Sequence, residues 1–305
     1  MERLQDLVIA DPDLLPTVWS DDRLELGEGA RWYDGHLYLV DLLAGRLLTG
    51  GSGDRPGLRL VLDIGQSLAV AAPRQGHPGS WIVAAGTGFA LADQGGRLEW
   101  LGTPEEGNRA TTRMNDGAVD GRGRFWAGSK SDRVAGGSLY RLGADGNIIK
   151  VLDGLTIANG PAFSPDGRWM YLADSAAGSV DRFQIRADGE LGPGEPFVRL
   201  APAIGSPDGV TGSPDGMTVD VEGNLWLAVW GGGAVHRYRP DGSLAAVVRV
   251  PATQPTSVCL GGPDGRRLFI TSASVGLAGP APFDGAVFST TVPGPGLPAV
   301  AVILS

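Results

Sequence analysis

The chain has 305 residues, a formal net charge of −9 and 42% hydrophobic residues. That composition excludes a disordered chain and argues against nucleic acid as a partner, since its binding proteins present basic surfaces. A single cysteine, Cys259, excludes an internal disulfide framework, and no run of about 18 apolar residues suggests a membrane span.

Glycine fills 49 positions, more than twice its usual share of about 7%, and no capped helical stripe stands out. Short strands joined by tight turns are the expected structure, an all-β chain. Residues 1 to about 20 carry one apolar run, Leu7 to Ala10, and no repeat signature. From Gly27 onward the pattern is strand, Asp-Gly or similar turn, strand, because glycine accepts the positive φ that such turns require. The turn glycines are Gly35, Gly79, Gly123, Gly167, Gly223 and Gly265, spaced 44, 44, 44, 56 and 42 residues apart. A period of about 40 to 50 residues with up to four short strands per copy is the pattern of propeller blades. The expected fold is a six-bladed β-propeller forming one domain over residues 1–305. The long interval places an insertion near residues 190–210, and the unmatched N-terminal run is expected to pair with the last blade and close the ring, removing exposed edges.

Four copies align on a glycine six or seven residues before the turn: Gly29, Gly117, Gly160 and Gly216. Just before it stand Glu28, Asp116, Asn159 and Asp215, with Asn115 one step earlier. In a propeller the first strand of each blade lines the central channel, so equivalent positions converge on the axis. Each Asp-Gly or Asn-Gly pair alone reads as a turn, but their shared repeat phase points to a cluster. Crowded carboxylates disfavour joint ionisation, and a bound cation relieves that repulsion. Oxygen donors without cysteine or paired histidine suit Ca²⁺, Mg²⁺ or Mn²⁺ better than structural zinc. Asp34, Asp166 and Asp264 fall in hairpin turns and are read as structural. Residues 206–209 imitate the fifth copy but lack the strand that should follow, so Asp215 is preferred to Asp208.

At these residues the chain resembles the gluconolactonase family that includes regucalcin (senescence marker protein) and luciferin-regenerating enzyme. The anchors are Gly-Glu-Gly at 27–29, Arg-Met-Asn-Asp-Gly at 113–117, Asn-Gly at 159–160 and Pro-Asp-Gly-Met-Thr-Val-Asp at 214–220. The resemblance implies a six-bladed propeller with one divalent cation in its channel, Ca²⁺ first, with Mg²⁺, Mn²⁺, Zn²⁺ or Fe²⁺ as alternatives. It implies hydrolysis of sugar lactones or related cyclic esters. Glu28, Asn159 and Asp215 would hold the metal, Asp215 would double as catalytic base, and Arg113 and Asn115 would contact substrate. Two departures are visible. Ala30 replaces the family's usual proline, and residues 129–133 read Ser-Lys-Ser-Asp-Arg, which puts Lys130 where an acidic substrate contact is expected. The resemblance therefore implies a retained metal site and an altered pocket, open to an anionic or non-sugar substrate.

Two other readings share the site: another cation-assisted reaction on a specialised metabolite, or a calcium-binding propeller without turnover. Nucleophilic catalysis finds no support, because His36, His77 and His236 lie in or beside turns and outer strands and no Gly-x-Ser-x-Gly elbow is present. Trp32, Trp126, Trp169 and Trp226 read as core between blades. The expected partner is a small molecule, with no nucleic acid and no membrane, and the expected state is a cytoplasmic monomer or weak homodimer with no leader sequence.

Overall fold

A computed structural model describes residues 14–51, 57–200 and 211–305. They form six four-stranded antiparallel sheets arranged as a β-propeller. The opening strand β1 (Thr17–Ser20) precedes blade one, which holds β2 (Gly27–Tyr33), β3 (His36–Asp41), β4 (Arg46–Gly50) and β5 (Arg59–Asp63). Blade two holds β6 (Leu68–Pro73), β7 (Trp81–Ala85), β8 (Gly88–Ala92) and β9 (Leu98–Gly102). Blade three holds β10 (Thr112–Val119), β11 (Phe125–Ser131), β12 (Gly137–Leu142) and β13 (Ile148–Leu155). Blade four runs β14 (Ala158–Phe163), β15 (Trp169–Asp174), β16 (Ser179–Ile185) and β17 (Leu191–Arg199). Blade five runs β18 (Ser213–Val219), β19 (Leu225–Trp230), β20 (Ala234–Tyr238) and β21 (Leu244–Arg249). Blade six has β22 (Pro255–Gly261), β23 (Arg267–Ser272) and β24 (Val287–Thr291), completed on its outer side by β1.

The strand that closes the ring is therefore 17–20, paired antiparallel as Thr17↔Ser289 and Val18↔Phe288. The apolar run Leu7–Ala10 lies outside the described residues. The closing strand is anchored by Trp19, which packs edge-on against Phe269 at 5.2 Å. Part of the long interval is the nine-residue β17; residues 201–210, including Asp208, lie outside the described residues. Among the described residues no helix is long and apolar enough to cross a membrane.

Every innermost strand carries an irregularity in its pairing with the second strand, at Glu28/Arg31, Leu68/Val70, Met114/Asp116, Asn159/Ala162, Pro214/Met217 and Pro255/Val258. A bulge adds local twist and re-aims side chains, so six equivalent bulges turn the same segment of each blade toward the axis. Glycine follows where crowding demands it. Gly160 sits at φ +84°, and a Cβ on Gly216 would lie 2.8 Å from the Thr256 carbonyl oxygen of the next blade.

At the far end of these strands a second repeat, Asp-x₅-Trp, braces blades three and five. The buried Asp120 accepts from Trp126 Nε1 at 2.9 Å and Arg124 Nε at 2.6 Å. Asp220, with no exposed surface, accepts from Trp226 Nε1 at 3.1 Å and Arg237 at 3.0 Å. The other oxygen of each aspartate caps turn amides, those of Arg122 and Arg124 or of Glu222 and Asn224. Trp126 and Trp226 are fully buried, whereas Trp32 and Trp169 are only half-buried. Trp32 stacks on Phe269 of blade six at 5.4 Å, and Trp169 lies under Arg182 of its own blade. Cys259 is buried in β22, and burial pushes its thiol up.

Because Asp220→Ala leaves the Trp226 N–H without its buried acceptor and Arg237 with only the exposed Glu222, it is expected to cost about 1–3 kcal/mol. Urea unfolding of the variant and its parent reads this directly; a loss below about 1 kcal/mol, the size of an exposed pair, contradicts the assigned role.

Candidate functional site

The bulged ends of the inner strands open onto a cavity of about 440 Å³ lined by Glu28, Arg113, Asn115, Lys130, Asn159 and Asp215. Six of the seven residues singled out from the sequence thus meet in one place, and the seventh, Asp116, does not. The six come from β2, β10, β11, β14 and β18, four different blades. Glu28, Asn159 and Asp215 are 5%, 4% and 4% exposed, so little water reaches the carboxylates.

A hydrogen-bonded chain fixes the amides across three blades. Arg113 Nη1 donates to Asn115 Oδ1 at 2.9 Å and to the Met114 carbonyl at 2.8 Å. Asn115 Nδ2 donates to Asn159 Oδ1 at 3.0 Å and to the Ala158 carbonyl at 3.0 Å. Asn159 Nδ2 then donates to Ser175 Oγ at 2.7 Å, and Ser175 donates to the Pro214 carbonyl at 2.6 Å. This network sets the orientation of both amides. It uses both amide hydrogens of Asn115 and leaves Asn159 Oδ1 with one lone pair. Ser175 had no sequence signal, because its role depends on a contact with blade five that lies 39 residues away.

Burial raises the carboxyls of Glu28 and Asp215 well above the ordinary carboxylate range. The neighbouring acids push the same way, Asp215 and Asp116 on Glu28, and Asp116 on Asp215, while Arg113 opposes them. Asp116 itself faces elsewhere. The bulge at Met114/Asp116 sends Asn115 into the first cavity and turns Asp116 into a second one of about 420 Å³, along the later halves of the inner strands, with Arg31. There it accepts from the amides of Gly117 at 2.7 Å and Gly160 at 2.8 Å, and burial lifts its carboxyl to about 6.

The two remaining blades contribute no carboxylate or amide here. Blade two offers Leu68, Ala69 and Val70 at this phase. In blade six, Thr256 is spent on the Gly27 carbonyl and on Thr271 Oγ1. Among the described residues no group of three or more His, Cys, Asp or Glu is placed to hold a metal. The donor set is two carboxylates and one amide oxygen. Those are oxygen donors suited to a hard divalent cation, and the two buried acids of like charge supply a reason for one to bind. Lys130 stands on β11 itself, with its backbone bridged to Ile157 just before β14. Its amine is lowered from the ordinary lysine range by burial and then by Arg113.

A six-bladed propeller with a buried acid–amide cluster at its channel is the class this geometry defines. The chain belongs to the family described as the SMP-30/Gluconolactonase/LRE-like region, which residues 26–274 match. It is 37% identical over 287 residues to the L-arabinolactonase of Azospirillum brasilense, covering 89% of this chain and 90% of that one. It is 34% identical over 268 residues to the 6-deoxy-6-sulfogluconolactonase of Pseudomonas putida, with 85% and 88% covered. A solved structure of regucalcin from Agrobacterium tumefaciens strain C58, described as a calcium-binding protein, superposes with a TM-score of 0.83 at 27% identity, covering 97% of this chain and 98% of that one.

In chelator-containing buffer near neutral pH, Asp215→Asn removes one of two buried like charges. It is expected to raise the melting temperature by about 2–4 °C for each kcal/mol of repulsion relieved. Calorimetric melting of both proteins tests this, and a variant that melts lower than its parent contradicts it.

Proposed function

We propose that the chain is a lactonase, a single propeller that opens a sugar lactone or related cyclic ester with one divalent cation held by Glu28, Asn159 and Asp215. The observation that carries this reading is the convergence of two buried carboxylates and the open lone pair of Asn159 on one cavity, beside an arginine with donors to spare. The lactonase names of two relatives support the reaction class, and the calcium-binding description of a structural neighbour supports Ca²⁺ as the first cation to test.

When bound, such a cation supplies Lewis acidity toward a substrate carbonyl oxygen. The chain's own residues supply the rest. Asp215 accepts a proton from the attacking water, as a positioned carboxylate does in general base catalysis. The water oxygen bonds to the carbonyl carbon, the ring C–O bond breaks, and the departing oxygen takes back the proton held by Asp215 to become a hydroxyl. Arg113 has one nitrogen tied to Asn115 and Met114 and turns its remaining N–H groups to substrate oxygens. Asn115 holds Arg113 and Asn159 in fixed relation, with one lone pair of its own left for substrate. The burial of the site keeps competing water away from the carboxylates and strengthens each of these contacts.

Full removal of metal is expected to abolish hydrolysis of a panel of aldonolactones, and Ca²⁺ to restore it; turnover that survives chelation contradicts the mechanism. Ser175→Ala frees the Asn159 amide and is expected to weaken Ca²⁺ binding by about 10- to 100-fold, the usual cost of losing a group that orients a ligand. Titration calorimetry measures it, and unchanged affinity removes Ser175 from the site.

A further inference from the structure

We infer that the substrate carries a negative charge of its own, an anionic group such as a carboxylate or a sulfonate away from the lactone carbonyl, and that Lys130 together with Arg113 forms the subsite that holds it. This rests on the lactonase reading and adds the class of lactone.

Arg113 and Lys130 stand directly opposite one another in the β10–β11 pairing. Like charges placed so are destabilising, and such a pair is retained at a cost that some other group must offset. No acid in the cavity does so for Lys130. Its amine makes no hydrogen bond and no ion pair among the described residues, and the acid that acts on it, Asp132, is on the exposed side of the strand end. Within the cavity Glu28 and Asp215 together match the charge of one divalent cation, which leaves two positive side chains over. The lining also includes Leu26, Leu43, Ile157, Trp230 and Val275, which offer no counter-charge to the two cations. Lys130 is also held in place: Ser131 N donates to the Thr156 carbonyl at 2.8 Å, and Lys130 itself bridges to Ile157. A half-buried lysine fixed on a strand, beside an arginine on the neighbouring strand and lining one cavity with it, is a receptor for an anion.

The competing account is that Lys130 merely carries its amine out to solvent along its apolar stem. The Ca²⁺-loaded full-length protein distinguishes the two with a matched pair, D-glucaro-1,4-lactone and D-glucono-1,4-lactone, which differ in a carboxylate against a hydroxymethyl group. The kcat/KM ratio is expected to favour the charged lactone by about tenfold or more, in the range by which one well-placed group discriminates substrates, and to shrink as salt is added. K130M is expected to lower that ratio about tenfold and K130R to retain most of it, with circular dichroism reporting that both fold. A parent ratio near or below one, or a ratio unmoved by K130M, overturns the subsite. Calorimetric binding of glucarate and gluconate supplies a readout independent of turnover. Lys130-dependent preference for glucarate without hydrolysis of any lactone keeps the subsite and sinks the lactonase reading. Efficient hydrolysis of neutral lactones with no charge preference does the reverse.

Discussion

Two carboxylates that cannot comfortably be charged together are held at one buried point, and the rest of the molecule is arranged around that conflict. Glu28 and Asp215 come from the first and fifth blades, so no local rearrangement of either strand can separate them without opening the ring. Each is raised by burial first and by a neighbouring acid second. On the proposed reading a divalent cation would satisfy both acids, and the energetic liability of the pair would become affinity. Arg113 moderates the conflict without ending it, because its Nη1 is committed to the amide chain that fixes Asn115 and Asn159.

The propeller makes such a cluster possible by repetition. One bulge per blade re-aims each inner strand, and four of the six deliver polar side chains to one cavity. Ring closure by β1 holds the blades in that relation, and the Asp120 and Asp220 brackets stiffen blades three and five from the opposite end. The blades are then free to differ in what they deliver. Four present acids, amides or cations, blade two presents aliphatic side chains, and blade six presents a threonine turned back on its neighbour's backbone. The asymmetry of the site is a matter of single residues on a near-symmetric frame.

Much of this was legible in the sequence because the period of the turn glycines and the phase of Glu28, Asn159 and Asp215 are both one-dimensional signals. The six sheets and the convergence of Glu28, Asn115, Asn159 and Asp215 follow from that periodicity, whereas Arg113 and Lys130 were reached only through the family resemblance. What escaped was non-local. The closing strand lies at 17–20, where four residues leave no pattern. Ser175 is a hydroxyl in a 3₁₀ turn whose partners are on two other strands. Asp116 shares the repeat phase of Glu28, Asn159 and Asp215, yet a one-residue shift in the bulge of β10 reverses its face, and spacing alone does not register a bulge. Asp120 and Asp220 were visible as letters, but their meaning rests on an indole N–H six residues on, which becomes a partner only when the hairpin folds.

The separation of Asn115 from Asp116 has a further consequence for how the site is supported. These adjacent residues face different cavities, and both reach blade four: Asn115 through the Asn159 side chain and Asp116 through the Gly160 amide. The donor amide of Asn159 is therefore clamped from both sides by consecutive residues of one strand. On the far side Asp116 shares its cavity with Arg31, whose guanidinium burial pushes down to about 10 and Asp116 draws back up. A charge change there acts on Glu28 and Asp215, since Asp116 contributes to the elevation of both. On the proposed reading specificity is only half entangled in this way. Lys130 stands on the second strand of its blade, outside the amide chain, and can change while Glu28, Asn159 and Asp215 stay as they are. Its neighbour Arg113 heads that chain and acts on both acids, so it cannot change alone.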